Sequence, residues 1–279
     1  MVEVTRDFVQ NTLPVRDRNA HKGMFGKVHI VAGSVGFTGA PYFASSAAVR
    51  TGSGLVFLSV PEEVWPVLAV KCNESMPSPM QDYPVLLSKM NAADACLIGP
   101  GLGRSRVSDA RTVHLTEDLL PPLVLDADGI NAISQHIDAL EARRGRLTVL
   151  TPHDGEFLRL TGEESVGPDR EAAALRFARR YGCVLVLKGH RTVTAFPDGE
   201  TFVNTTGNPG MAKGGSGDLL AGMILSLLGQ KLPPKRAIPA AVWLHGRAGD
   251  LAAARLGEYG MTPTDLLAEI PNAILEGMP

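Results

Sequence analysis

Asn208-Pro-Gly-Met-Ala-Lys-Gly-Gly-Ser-Gly-Asp218 runs without a break into Leu219-Leu-Ala-Gly-Met-Ile-Leu-Ser-Leu-Leu-Gly229. The first half is a glycine-rich loop. The second is almost wholly apolar and long enough for a helix of about three turns, which Gly229 would stop. A glycine loop that feeds a helix N-terminus is an anion site, because its N–H groups lack internal partners and the helix dipole adds positive charge. Gly214, Gly215 and Gly217 let backbone approach a ligand closely, and Ser216 is placed to cap the helix. Asp218 falls in the first turn. It either complements the dipole or, at a phosphate-cradling terminus, binds metal or takes a proton from an attacking hydroxyl. Phosphoryl transfer with Asp218 as base is the chemistry this stretch suggests. No Gly-x-x-x-x-Gly-Lys-Ser/Thr occurs, so the loop is not a Walker A motif.

Outward from this stretch, strands alternate with helices. Strands are expected at 27–33, 54–60, 95–98, 123–125, 147–150 and 183–187, with a hairpin of 192–196 and 201–203 around Pro197-Asp-Gly199. Helices are expected at 40–51, 62–70, 104–119, 168–181, 236–256 and 264–275. Met76-Pro-Ser-Pro-Met80 predicts irregular chain. The alternation gives an α/β fold with a mostly parallel sheet covered on both faces, read as one domain over 1–279. In such sheets ligands bind beyond the carboxyl ends of the strands.

Several motifs follow a strand directly and so are expected on that edge. Gly33 to Gly39 is spaced Gly-x-x-Gly-x-x-Gly, which is not the dinucleotide fingerprint but suits close backbone approach. Gly99-Pro-Gly-Leu-Gly103 suits a backbone lining for a ligand. Asp126 and Asp128 are open to helix capping, magnesium binding or positioning of water. His153 follows Pro152 at a strand exit. Glu156 either holds a hydrated magnesium or sits in the first turn of the next helix. Lys188 ends an apolar strand, where it is either a phosphate-binding charge or a surface lysine.

Composition excludes other classes. In 279 residues, Lys plus Arg is 27 and Asp plus Glu is 29, so the net charge of -2 gives no basic excess for nucleic acid. No run approaches the ~18 apolar residues of a membrane span. Met1 to Gln10 lacks the apolar core of a signal peptide. Cys72, Cys96 and Cys183 form no Cys-x-x-Cys, and Cys96 and Cys183 read as inert core thiols. A small-molecule ligand and a reducing cytoplasm are expected.

Gly207-Asn-Pro-Gly-Met-Ala with Gly-Gly-Ser-Gly-Asp218 resembles the anion-hole and catalytic-base segment of the ribokinase-like superfamily. Gly36-Phe-Thr-Gly-Ala-Pro41, Gly99-Pro-Gly-Leu-Gly103, Leu125-Asp-Ala-Asp-Gly129, Thr151-Pro-His-Asp-Gly-Glu156 and Lys188-Gly-His-Arg-Thr192 follow in register. Together they resemble the NAD(P)H-hydrate dehydratases, from His21 onward.

That resemblance implies a ribokinase-like three-layer α/β/α sandwich. It implies dehydration of the S-epimer of NAD(P)H hydrate, driven by ADP or ATP with Mg2+. Ala40, Gly103, His153 and Asp218 would contact the hydrated dinucleotide. Lys188, Gly189, His190, Arg191, Thr192 and Gly217 would hold ADP. Gly214, Gly215, Ser216 and Gly217 would form the anion hole, and Glu156 would lie near magnesium through water. Lys213 would add charge to the loop. A homotetramer is implied, with a separate NAD(P)H-hydrate epimerase as functional partner, since only about twenty residues precede His21. The stand-alone form and the lack of a targeting segment lead us to expect ADP over ATP. The alternatives are an ATP-dependent small-molecule kinase of the same superfamily and a non-catalytic nucleotide sensor.

Overall fold

The computed structural model describes residues 1–278. Ten strands form one sheet: β1 (Val2–Glu3), β2 (Lys27–Val31), β3 (Leu55–Val60), β4 (Met76–Pro79), β5 (Ala95–Ile98), β6 (Leu123–Leu125), β7 (Thr148–Leu150), β8 (Val184–Leu187), β9 (Val193–Ala195) and β10 (Thr201–Val203). Their spatial order is β1-β10-β9-β8-β7-β6-β5-β2-β3-β4. All neighbouring pairs are parallel except those that β9 makes with β8 and β10.

The helices are α1 (Arg6–Gln10), α2 (Gly39–Arg50), α3 (Trp65–Lys71), α4 (Tyr83–Asn91), α5 (Arg106–Asp118), α6 (Asp128–Ser134), α7 (Asp138–Ala142), α8 (Asp154–Thr161), α9 (Arg170–Tyr181), α10 (Ser216–Gly229), α11 (Pro234–Gly260) and α12 (Pro263–Glu276). They cover both faces of the sheet, giving the three layers expected. The strands are buried on both sides yet still alternate. Ala95 and Leu97 join the core beneath α2, α10, α11 and α12, whereas Cys96 and Ile98 join the core beneath α5, α6, α8 and α9.

The segment 76–79 departs from the irregular chain expected there. It pairs in parallel with β3, Phe57 opposite Met76 and Val60 opposite Pro79. Proline is tolerated because β4 is the edge of the sheet. Pro77 and Pro79 lie two residues apart, so both missing donors point to the same, unpaired side. The Pro77 carbonyl still accepts the Trp65 indole N–H at 3.1 Å.

The apolar run after the glycine loop becomes α10, buried from Leu219 to Gly229. Its neighbour α2 presents the small residues Ala44, Ala47 and Ala48. The two backbones come so close that a Cβ on Gly222 would lie 2.1 Å from the Ala44 carbonyl oxygen. Truncating a fully buried side chain here, such as Leu225, costs about 2–5 kcal/mol. A rigid α10 matters because its N-terminus opens at the carboxyl edge of the sheet.

Candidate active site

Gly215 precedes α10 with φ +106°, a left-handed conformation natural to glycine, and a Cβ there would sit 2.9 Å from the Phe43 ring. This glycine, not Ser216, occupies the cap position, and no side chain caps the helix. Ser216 is the first helical residue. It is buried, and its N–H is already taken by the Lys213 carbonyl at 3.2 Å. Because Ser216 lies inside the helix rather than before it, its hydroxyl does not cap, contrary to the expectation from sequence. The N–H groups of Gly214, Gly215, Gly217 and Asp218 find no acceptor among the described residues. Lys213 does not lend its charge to this opening. Its ammonium donates to the carbonyls of Tyr259 at 2.9 Å, Glu258 at 3.4 Å and Met261, tying the loop to the end of α11.

Three adjacent strands bring the charged groups together. β6 delivers Asp126, β7 delivers Thr151 and the turn to Glu156, and β8 delivers Lys188. Neighbouring strands lie about 4.8 Å apart, so residues at their carboxyl ends fall within reach of one another. The Lys188 ammonium lies 2.9 Å from Asp126 Oδ1 and 3.8 Å from Glu156 Oε2. Asp126 is 1% exposed and also accepts the Thr151 hydroxyl at 2.7 Å. Lys188 is therefore not the surface lysine its position at a strand end allowed. It also reaches the anion loop, since a Cβ on Gly217 would lie 3.3 Å from its Nζ.

The electrostatics follow from this crowding. Burial pulls the Lys188 pKa down, but Asp126, Glu156 and Asp218 outweigh it and hold the ammonium above its ordinary value. For Asp218 burial and then the Asp126 charge push the pKa up to about 7, with Lys188 opposing and Asp128 and Glu156 adding. No helix-capping bond involves Asp218. A carboxylate whose pKa sits near neutrality is matched to general-base work.

The other expected residues divide. His153 caps α8: its Nδ1 accepts the Glu156 N–H at 3.3 Å, and Glu156 Oε2 accepts the His153 N–H at 2.8 Å. The His153 ring is nonetheless more than half exposed and faces solvent beside Glu156. Asp128 does not cap α6. Its carboxylate instead accepts the Gly103 N–H at 2.9 Å and thereby joins the 99–103 loop to the carboxylate cluster. Ala40 lies in the first turn of α2, packed toward Gly101. Gly189, His190 and Arg191 form an exposed turn closed by Thr192, whose hydroxyl donates to the Gly189 carbonyl at 3.0 Å. Beyond Gly103 opens a cavity of about 470 Å³, with Ser34, Met80, Leu102, Arg104 and Arg111 among its walls.

One residue that sequence reading passed over is His245. It is buried in α11, and its Nε2 lies 2.8 Å from the Ser216 carbonyl oxygen. Burial lowers its pKa to about 4, so the ring is neutral. Only its place directly after the apolar run Val242 to Leu244 signalled it. Cys96 and Cys183 are buried, and burial raises both thiols to about 12, as inert core thiols require. Among the described residues, no helix is long and apolar enough to cross a membrane.

Residues 28–272 match the protein family described as NAD(P)H-hydrate dehydratase. The chain is 40% identical to the ADP-dependent (S)-NAD(P)H-hydrate dehydratase of Neisseria meningitidis over 85% of this chain and 80% of that one. It is 42% identical to the bifunctional NAD(P)H-hydrate repair enzyme Nnr of Moorella thermoacetica over 97% of this chain. The match covers 53% of that relative, so the chain spans about half the length of the bifunctional relatives it matches. Among solved structures, the ADP/ATP-dependent NAD(P)H-hydrate dehydratase of Bacillus subtilis, co-crystallised with ATP/Mg2+, superposes with a TM-score of 0.84. That pair is 31% identical over 98% of this chain and 97% of the other.

Proposed function

The chain belongs to the NAD(P)H-hydrate dehydratase family, and from that premise we propose that it restores NAD(P)H from the S-epimer of its hydrate at the expense of ADP. The observation that carries this reading is the convergence of Asp218, Lys188 and the free N–H groups of Gly214, Gly215, Gly217 and Asp218 on one opening. Hydroxide is a poor leaving group, and phosphorylation of the ring hydroxyl makes it a good one. Asp218 accepts the hydroxyl proton as the oxygen attacks the terminal phosphorus of ADP and the bond to AMP breaks. The glycine N–H groups and Lys188 hold the transferring oxygens. The ring nitrogen then expels phosphate, and loss of a proton from the neighbouring ring carbon restores the double bond.

ADP is held by Lys188, the turn 189–192 and Gly217. Ala40, Gly103 and His153 line the path of the hydrated dinucleotide. The cavity beyond Gly103 favours a dinucleotide over the small hydroxyl substrate of a kinase, because its apolar walls and two guanidinium groups suit a further nucleotide half. Magnesium fits the donor set, since Glu156 and Asp126 offer hard carboxylate oxygens beside the phosphate opening, and an ion bound by one or two carboxylates keeps its waters. Glu156 would hold it through water, and the ion would neutralise phosphate charge. The same reading includes a cytoplasmic homotetramer, one dehydratase domain over 1–279, and a functional link to NAD(P)H-hydrate epimerase activity.

The test is incubation of the purified protein with NADH hydrate and, in parallel, ADP or ATP, following the absorbance of the restored dihydronicotinamide. Restoration with ADP at the higher rate is expected. Nucleotide binding without turnover would identify a sensor, and release of a stable phosphate ester a kinase.

A further inference from the structure

We infer that His245 is a positioning residue that aims the Gly217 N–H into the anion hole. The Ser216 carbonyl only accepts, so the His245 Nε2 at 2.8 Å carries the proton and donates it. The peptide unit joining Ser216 to Gly217 is planar and trans. Its C=O and N–H therefore point in opposite directions. Holding the carbonyl against α11 turns the Gly217 N–H the opposite way, out of the helix N-terminus toward the loop opening. Ser216 and Gly217 open α10 immediately after the left-handed Gly215, at the end of the helix, where ends fray. His245 adds a hold on this peptide from outside the helix, at the Ser216 carbonyl.

The same stretch of α11 fixes the other end of the loop. The Trp243 carbonyl accepts the Thr206 hydroxyl at 2.9 Å. Gly246 lets Thr206 approach so closely that a Cβ would lie 2.2 Å from its Oγ1. Asp250 accepts the Gly207 N–H and the Asn208 side-chain amide, both at 3.0 Å. Residues 243–250 thus grip the loop at its entry through Asp250 and Trp243 and at its exit through His245. Among these bonds, that of His245 alone acts on a peptide of the anion hole itself.

The inference rests on the reading of 214–217 as the phosphate site, and its test separates the two. ADP and adenosine affinities are measured by calorimetry on wild type, His245→Leu and His245→Gln. Wild type must bind ADP more tightly than adenosine, or the phosphate reading itself fails. In His245→Leu, ADP affinity is expected to fall about ten-fold with adenosine affinity unchanged, the scale of one lost hydrogen bond to a charged ligand. Gln, whose amide reaches the same carbonyl, should recover ADP affinity to within about three-fold. His245→Asn, too short to reach, carries the comparison if Leu impairs folding. An unchanged ratio of ADP to adenosine affinity in the variant lacking the donor would overturn the inference, as would equal loss with Gln and with Leu.

Discussion

The Lys188 ammonium and the Asp126 carboxylate, 62 residues apart in the chain, meet at 2.9 Å where strands β8 and β6 end. Asp126 is 1% exposed, so its charge is tolerated because Lys188 neutralises it. Lys188 also lies against the anion loop. One side chain thus stabilises the fold and faces the opening of the glycine loop, and substitutions separate its structural role from the proposed phosphate contact.

Lys188→Met leaves Asp126 buried without its cation and should cost about 3–5 kcal/mol of stability. Adding Asp126→Asn removes the stranded charge and should restore most of that stability, read as melting temperature. ADP affinity should stay about 1–3 kcal/mol weaker in both variants, because the phosphate partner is absent from both. Recovery of ADP binding in the double variant would show that Lys188 acts only on Asp126.

The pKa of about 7 for Asp218 fixes a pH profile for the free enzyme. A general base works in its ionised form. The dehydration kcat/KM should therefore rise about ten-fold per pH unit below neutrality and level off above it. A flat profile across the range from about pH 5 to 8 would contradict the assignment.

The same shift predicts a gain in stability on substitution. In the unfolded chain this carboxyl ionises near its ordinary value of 3.8, whereas in the fold it keeps its proton up to about 7. The folded state therefore binds more protons across that window, and stability falls as pH rises through it. The deficit is absent below the unfolded pKa and complete above the folded one. Asp218→Asn removes the deficit, so its melting temperature should exceed that of wild type at pH 8 and converge with it toward pH 4. A lower melting temperature at pH 8 would show that Asp218 stabilises the helix terminus instead.

His153 has both a capping and a solvent-facing role to test. His153→Ala loses the bond to the Glu156 N–H and should cost about 1 kcal/mol, whereas His153→Asn keeps a capping acceptor and should cost little. Both remove the ring. An increased KM for NADH hydrate in both, with ADP affinity unchanged, would mark the ring as a substrate contact. An increased KM in the Ala variant alone would confine it to the cap.

The sandwich was legible because its strands are apolar runs ended by turn residues, and because helices alternate with them. The carboxyl edge was legible for the same reason: glycines, acids, His153 and Lys188 each follow a strand directly. The edge strand at 76–79 was hidden, since two prolines argue against a strand unless its outer side is known to be unpaired. Ser216 looked like a cap because the sequence does not reveal that Gly215 takes the left-handed position before the helix. Lys213 looked like a source of charge for the loop because its partners, the carbonyls of residues 258, 259 and 261, lie far along the chain. The Lys188–Asp126 bond and the His245–Ser216 bond were illegible for one reason. Each joins residues whose meeting depends on strand order or helix packing rather than on local pattern.

The most direct test compares wild type with Asp218→Asn in one preparation, with NADH hydrate and ADP, recording the restored absorbance and the melting temperature together. Asn preserves the size of the side chain, so folding and ADP binding should persist. Dehydration should fall by at least about 100-fold, the lower end of what a general base contributes. Near-wild-type restoration of NADH by Asp218→Asn would contradict the account.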